Sequence, residues 1–275
     1  MTVLPLPEFD LRLTLLSGQV FHWQEDGAGW RGVIGRTAVR VEQMAGELMV
    51  TPGAEKIVSR YFALDHPLDQ IYATFPDDEF SRGALAACRG LRVIRQPRWE
   101  CLATFITSAM KQVSHIRAMS LALRARFGDP IEGSDVAAYP EPERLARVTE
   151  AKLRTCGLGF RAPNLRATAI AVAKGSVDLE AIAGMETDRA REELCKLPGV
   201  GRKIANCVLL FAYERLDAVP VDVWIARVVR AMRGDGRLPD LEDYSREHFG
   251  AYAGYVQQYL FHHARISKTL PARSK

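Results

Sequence analysis

The chain has 275 residues, 48% hydrophobic and 25% charged, with 37 Lys+Arg against 33 Asp+Glu for a formal net charge of +4. This balance excludes disordered and fibrous classes, leaves room for one large or two modest domains, and permits a polyanionic partner without demanding one. Five cysteines (Cys88, Cys101, Cys156, Cys195, Cys207) without CxxC spacing argue against a disulfide framework or a metal cluster, and the absence of a leader or an apolar run of about 18 residues points to a cytoplasmic chain without a membrane span.

From Leu11 to Thr51 short apolar runs alternate with turn residues: Val20–Trp23, the turn Asp26-Gly27-Ala28-Gly29, Trp30–Ile34, Thr37–Gln43 and Leu48–Thr51. This is the pattern of an antiparallel meander. Val39 and Val41 alternate with Arg40 and Glu42, the period of a strand with one buried face. From about Glu55 the period lengthens towards 3.6. Trp99, Leu102, Phe105, Ile106 and Ala109 share one helical face, as do Ile116, Met119 and Leu123, and later Ile204, Val208 and Phe211. Asp222 precedes Ile225, Val228, Val229 and Met232 as the N-cap of a further amphipathic helix. The fold class expected is α+β: an N-terminal antiparallel sheet with helices over residues 1–97, then a mostly α-helical domain over residues 98–275, divided near Arg95-Gln96-Pro97-Arg98.

Leu197-Pro198-Gly199-Val200-Gly201 stands between two helical patterns, and its glycines free the backbone for a hairpin too tight for side chains. Such a hairpin, ending at a helix N-terminus, offers backbone amides to a DNA phosphate without reading sequence. A plain Gly-rich turn between packed helices is the alternative for the pentapeptide alone. Lys203 follows in the first turn of the next helix, where the positive end of the macrodipole disfavours an ammonium. A neutral amine there is a nucleophile able to form a Schiff base with a sugar carbon. Asp222 is its candidate partner. A helix of about twelve residues spans roughly 18 Å, and the eight residues from Glu214 to Val221 reach about 26 Å when extended. The linker is therefore long enough to return along the helix and bring the two helix starts together, where a carboxylate would stabilise an oxocarbenium-like sugar.

With these residues in place, Lys196-Leu-Pro-Gly-Val-Gly-Arg-Lys203 followed by Val219-Pro-Val-Asp222 resembles the helix–hairpin–helix DNA glycosylase superfamily, and within it the 8-oxoguanine DNA glycosylases. Ser17–Trp23, Leu158–Ala162 and Ala253–Phe261 support the narrower match. The resemblance implies a bifunctional DNA glycosylase/AP lyase of base excision repair, a monomer acting on duplex DNA that contains a damaged purine. Lys203 would attack the anomeric carbon with help from Asp222, leaving an imine that undergoes β-elimination. Gly18 would offer its carbonyl to the N7 hydrogen of 8-oxoguanine. Phe261 and Cys207 would flank the flipped base, and Gln257 would read its Watson–Crick edge. Gly199, Val200 and Gly201 would hold a phosphate.

The same resemblance implies no cofactor for the chemistry and a structural monovalent or calcium ion on the carbonyls of Cys195, Leu197 and Val200. Opposite the lesion this chain departs from the eukaryotic members. Met110 stands where they carry an asparagine that fills the vacated stack, and His115 replaces an arginine that reads the orphaned cytosine. Phe160 replaces a wedge tyrosine, Arg161 keeps its place, and Trp224 replaces a histidine near the phosphate of the flipped nucleotide. These departures predict a weakened preference for cytosine. Two other readings stay open: an alkylated-purine glycosylase, which generally lacks the lysine, and a non-catalytic hairpin module that only binds DNA.

Overall fold

The computed structural model describes residues 1–132, 134–233 and 241–267. Five strands, β1 (Thr2–Pro5), β2 (Gln24–Asp26), β3 (Gly29–Ile34), β4 (Thr37–Met44) and β5 (Glu47–Val50), form an antiparallel sheet in the order β1-β5-β4-β3-β2. The alternation read from the sequence is realised in the ladder: Val41 pairs with Trp30 on one side and Val50 on the other. Val39, Val41, Leu48 and Val50 are all buried.

The structure corrects the start of this meander. Leu11–Leu16 is a helix, α1, capped by Asp10, whose carboxylate accepts the Leu13 N–H at 2.7 Å. Val20–Trp23 belongs to no strand. All four residues are buried, and the His22 ring reaches the Val33 carbonyl at 2.7 Å and Glu100 at 3.3 Å. The segment is apolar because it runs between the sheet and the helices, with both of its sides covered. β1, outside the predicted meander, pairs with β5 from Thr2 to Pro5.

The remaining helices are α2 (Glu55–Tyr61), α3 (Leu68–Tyr72), α4 (Glu79–Cys88), α5 (Arg98–Ser108), α6 (Val113–Phe127), α7 (Pro142–Arg147), α8 (Glu150–Arg154), α9 (Ala162–Ala173), α10 (Thr187–Cys195), α11 (Arg202–Ala212), α12 (Val223–Arg233), α13 (Leu241–Phe249) and α14 (Ala253–Ser267). No helix among the described residues is long and apolar enough to cross a membrane. Two hydrophobic cores result. One lies between the sheet, α1 and α2, around Trp23, Trp30, Tyr61 and Phe62. The larger one unites the helices from α3 onward.

Helix α14 belongs to the larger core and is tied to the segments before α3 and after α4. Tyr255 contacts the His66 ring at 2.7 Å, and the Tyr259 hydroxyl donates to the Leu91 carbonyl at 2.7 Å. Gly254 is where α14 meets the α11–α12 linker: a Cβ there would strike the Leu210 side chain and the Ala218 carbonyl, while its own N–H donates to Leu216 at 2.8 Å. A glycine at this crossing therefore sets how closely α14 lies against the segment leading to Asp222.

Candidate active site

The hairpin between α10 and α11 is built from its buried residues outward. Leu197 and Val200 are buried while Pro198, Gly199 and Gly201 are exposed, and the Val200 N–H closes the turn on the Leu197 carbonyl at 3.1 Å. Gly199 has φ +79°, and any Cβ would collide with Asn164 of α9 at 2.6 to 3.0 Å. Thr168, also on α9, donates to the Pro198 carbonyl at 3.3 Å. Gly201 caps α11 with no side-chain hydrogen bond, and a Cβ on it would meet nothing within 4 Å. Nothing inside the fold therefore demands a glycine at 201. The face left open is the one on which a helix N-terminus presents its amides to an anion.

Among the described residues, the carbonyls of Cys195 and Val200 accept no hydrogen bond, and that of Leu197 accepts one. No group of three or more His, Cys, Asp or Glu able to hold a metal occurs among them. Backbone carbonyls with free lone pairs are suitable ligands for a hard cation.

Lys203 and Asp222 converge on one cavity, as the linker length allows. Asn206 of α11 is fully buried, accepts from Arg191 at 2.7 Å and donates to the Val219 carbonyl at 2.9 Å. It pins the returning linker to α11, so that Asp222 arrives beside the start of that helix. The Asp222 carboxylate accepts the N–H groups of Trp224 and Ile225 at 2.9 Å each, capping α12. Burial pushes its carboxyl above the usual aspartate range, against these two amides and the nearby Lys203 charge. The Lys203 amine lies 5.5 Å from the centroid of the Phe105 ring, which stacks on Phe211 at 5.5 Å. Burial raises the Cys207 thiol, with Lys203 opposing.

These residues line one cavity with Gly18, Gln257, Gln258 and Phe261. Gly18 has φ +87°, and a Cβ there would lie 3.1 Å from the Phe261 ring. The Gln257 side chain is 3% exposed and its oxygen has no hydrogen-bond partner. A buried amide oxygen left unpaired at a cavity is costly unless something else supplies the donor. All six residues expected at the base and the chemistry thus share one cavity, and Phe105, Phe211, Pro220 and Gln258 join them. Phe105 and Phe211 were legible only as core positions on helical stripes. Nothing in the sequence distinguishes a cavity wall from a core contact when both require a large apolar ring.

Of the opposite-strand candidates, Met110, Phe160 and Arg161 lie on two loops, and His115 and Trp224 lie in the first turns of α6 and α12. Met110 has φ +55° and is 91% exposed. Phe160, in a short 3-10 turn over Gly159–Arg161, is 62% exposed. Arg161 is placed differently, at 3% exposure. Its guanidinium donates twice to the Ala109 carbonyl, once at 2.7 Å, and to the Leu158 carbonyl at 3.3 Å, and it lies 4.1 Å from the Phe160 ring centroid. It holds together the loops that carry Met110 and Phe160. His115 is exposed in the first turn of α6. Trp224 is half-buried, 6.0 Å from the Arg227 guanidinium.

Residues 2–102 match the 8-oxoguanine DNA glycosylase N-terminal domain family, and residues 103–249 match the HhH-GPD superfamily of base excision DNA repair proteins. The chain is 31% identical to a probable N-glycosylase/DNA lyase of Methanothermobacter thermautotrophicus over 97% of each protein. Among solved structures it resembles MBOgg1 in complex with a low-affinity DNA ligand, with TM-score 0.92, 30% identity, and 97% and 96% of the two chains covered. It also resembles the Clostridium acetobutylicum 8-oxoguanine glycosylase/lyase bound to duplex DNA with cytosine opposite 8-oxoguanine, with TM-score 0.89, 28% identity, and 95% and 93% covered.

Proposed function

This chain belongs to the HhH-GPD superfamily of base excision DNA repair proteins, and we propose that it works as an 8-oxoguanine DNA N-glycosylase/AP lyase with Lys203 as nucleophile and Asp222 as the fixed anion beside it. The observation that carries the reading is the convergence of an amine, a half-buried carboxylate and an unpaired amide oxygen on one cavity next to a hairpin whose outer face is open. A purine flipped into this cavity meets the Phe261 ring and Cys207 on its faces and Gln257 at its Watson–Crick edge, interactions that offset part of the unstacking cost.

Lys203 gives up its ammonium proton, which the departing base takes up, and its amine attacks C1′ of the flipped nucleotide as the C1′–N9 bond breaks and its electrons leave with the base. Asp222 is ionised and stabilises the positive charge that develops on the sugar. The C1′–N adduct passes a proton from nitrogen to O4′ as the C1′–O4′ bond opens to give the imine. Loss of a C2′ proton then expels the 3′ phosphate by β-elimination and nicks the strand. A cation on the carbonyls of Cys195, Leu197 and Val200 would supply positive charge between the hairpin and a phosphate. Gly199, Val200 and Gly201 provide the phosphate seat.

The test is incubation with a duplex carrying a single 8-oxoguanine. The parent protein releases the base and leaves a nick without added base or heat, and Lys203→Gln leaves no nick. Base release by Lys203→Gln at the parental rate would move the reading to a water nucleophile, as in the alkylated-purine alternative. Tight binding of undamaged duplex with no release would leave only the DNA-binding alternative.

A further inference from the structure

We propose that Gln258 is a specificity-positioning residue for 8-oxoguanine, fixing the Gly18 carbonyl that meets the N7 position of the flipped base; the proposal rests on the functional reading above. Gln257 and Gln258 are neighbours on α14, so their side chains leave the helix about 100° apart. The two amides do different things. The oxygen of Gln257 is unpaired, while Gln258, equally buried at 3% exposure, donates its amide to the Ser17 carbonyl at 3.0 Å.

The Ser17 carbonyl and the Gly18 N–H belong to one planar peptide, so this bond sets the plane that enters Gly18. The plane that leaves Gly18 is held from the other side. Gln19 is fully buried, and the two N–H groups of its amide are shared among the Arg92 carbonyl at 2.8 Å, the Ser17 hydroxyl at 2.9 Å and the Thr14 carbonyl at 3.2 Å. Its side-chain oxygen accepts the Ile94 N–H at 2.9 Å, and Gln96 donates to its carbonyl at 2.7 Å. Arg265, further along α14, donates to the Leu16 carbonyl while its guanidinium lies 5.7 Å from the Phe261 ring centroid.

Gly18 thus sits at φ +87° between two immobilised neighbours. A glycine without such neighbours would leave this conformation readily, because it populates both signs of φ. The distinction to be made is one hydrogen: the oxidised base donates from N7, whereas guanine presents a lone pair there. A carbonyl free to tilt would strain the bond to the first and relieve the repulsion with the second. The anchoring of Ser17 by Gln258 removes that freedom, and it does so from the same helix that carries Gln257 and Phe261.

The test is Gln258→Met, which conserves volume and removes the donor. Single-turnover excision of 8-oxoguanine is compared with nicking of a preformed abasic site in the same duplex, a substrate with no base to read. The ratio of excision to nicking is expected to fall about tenfold, the effect of one hydrogen bond. An equal loss in both assays, which marks a merely structural role, would overturn the inference, as would an unchanged ratio. If the thermal transition shows that Gln258→Met is unfolded, Gln258→Asn, whose amide ends one methylene short, is read by the same ratio and the same criteria. A parent protein that neither excises nor nicks overturns the functional reading itself, and the inference with it.

Discussion

Replacing Met110 with glycine is expected to separate stability from activity. With φ +55° and 91% exposure, Met110 contributes no packing to the fold, and a side chain in the left-handed region costs about 1–2 kcal/mol. Glycine relieves that cost and gives back about 0.5–1 kcal/mol as backbone entropy. The net change therefore lies between nothing and about 1.5 kcal/mol of added stability, a rise in Tm of at most roughly 6 °C. In the DNA complex, an apolar side chain inserted between bases buries surface worth about 1.5–3 kcal/mol. Its removal slows excision from a fully paired duplex by roughly tenfold to 150-fold. The assay pairs a thermal melt with single-turnover excision on paired and mispaired duplexes, and the loss is smaller where the lesion is already unpaired. A Tm several degrees lower, or excision unchanged on the paired duplex, would refute the expectation that Met110 fills the vacated stack from a backbone held in strain for function.

Three other expectations follow from the site. Asp222 is an acid whose folded pKa is raised by burial, so its ionisation costs stability once the pH exceeds about 3.9, the unfolded value. Asp222→Asn keeps an acceptor for the α12 amides and removes that penalty. Its Tm at pH 7 should equal or exceed the parent's while excision drops by at least about a hundredfold; a clearly lower Tm would contradict this.

His262 is buried and its pKa is pushed down to about 4 by that burial and by Arg265. A base with a depressed folded pKa loses stability as pH falls from about 6.5 to about 4, here by about 3 kcal/mol. His262→Asn, which offers Arg265 a similar acceptor, should flatten that acid slope in denaturant titrations, and a parental slope in the variant would count against it. Opposite the lesion, Arg161 is committed to Ala109 and Leu158 and His115 replaces the expected arginine. Cytosine should therefore be preferred over the other three bases by well under about a hundredfold, and a larger preference in four-way duplex assays would rule this out.

Much of this architecture was readable from residue patterns because the responsible forces act over short sequence distances. The alternation at Val39 and Val41, the N-cap at Asp222 and the hairpin at Leu197–Gly201 are local signals, and each has its element in the structure. Chain length and helix rise allowed the approach of Asp222 to Lys203, and Asn206 is the side chain that enforces it. One misreading and one incomplete reading have the same cause. Val20–Trp23 resembles a strand yet threads between two cores, and Phe105 is the core residue its helical stripe indicates but also faces the cavity. Apolar character reports burial but not what does the burying. Helix α1 has only six residues, Leu11–Leu16, too few to establish a period. The family resemblance gave Arg161 as a DNA contact, whereas its attachment to Ala109 spans 52 positions that no local pattern connects.

Lys203 is expected to form a covalent imine with the sugar of a flipped 8-oxoguanine nucleotide. Borohydride reduction during turnover, followed by peptide mapping of the protein–DNA adduct, would trap it. One adduct is expected, carried on the peptide that contains Lys203, formed with the 8-oxoguanine duplex and not with its guanine counterpart. Excision of the base without any trapped adduct, or an adduct on a different residue, would contradict it.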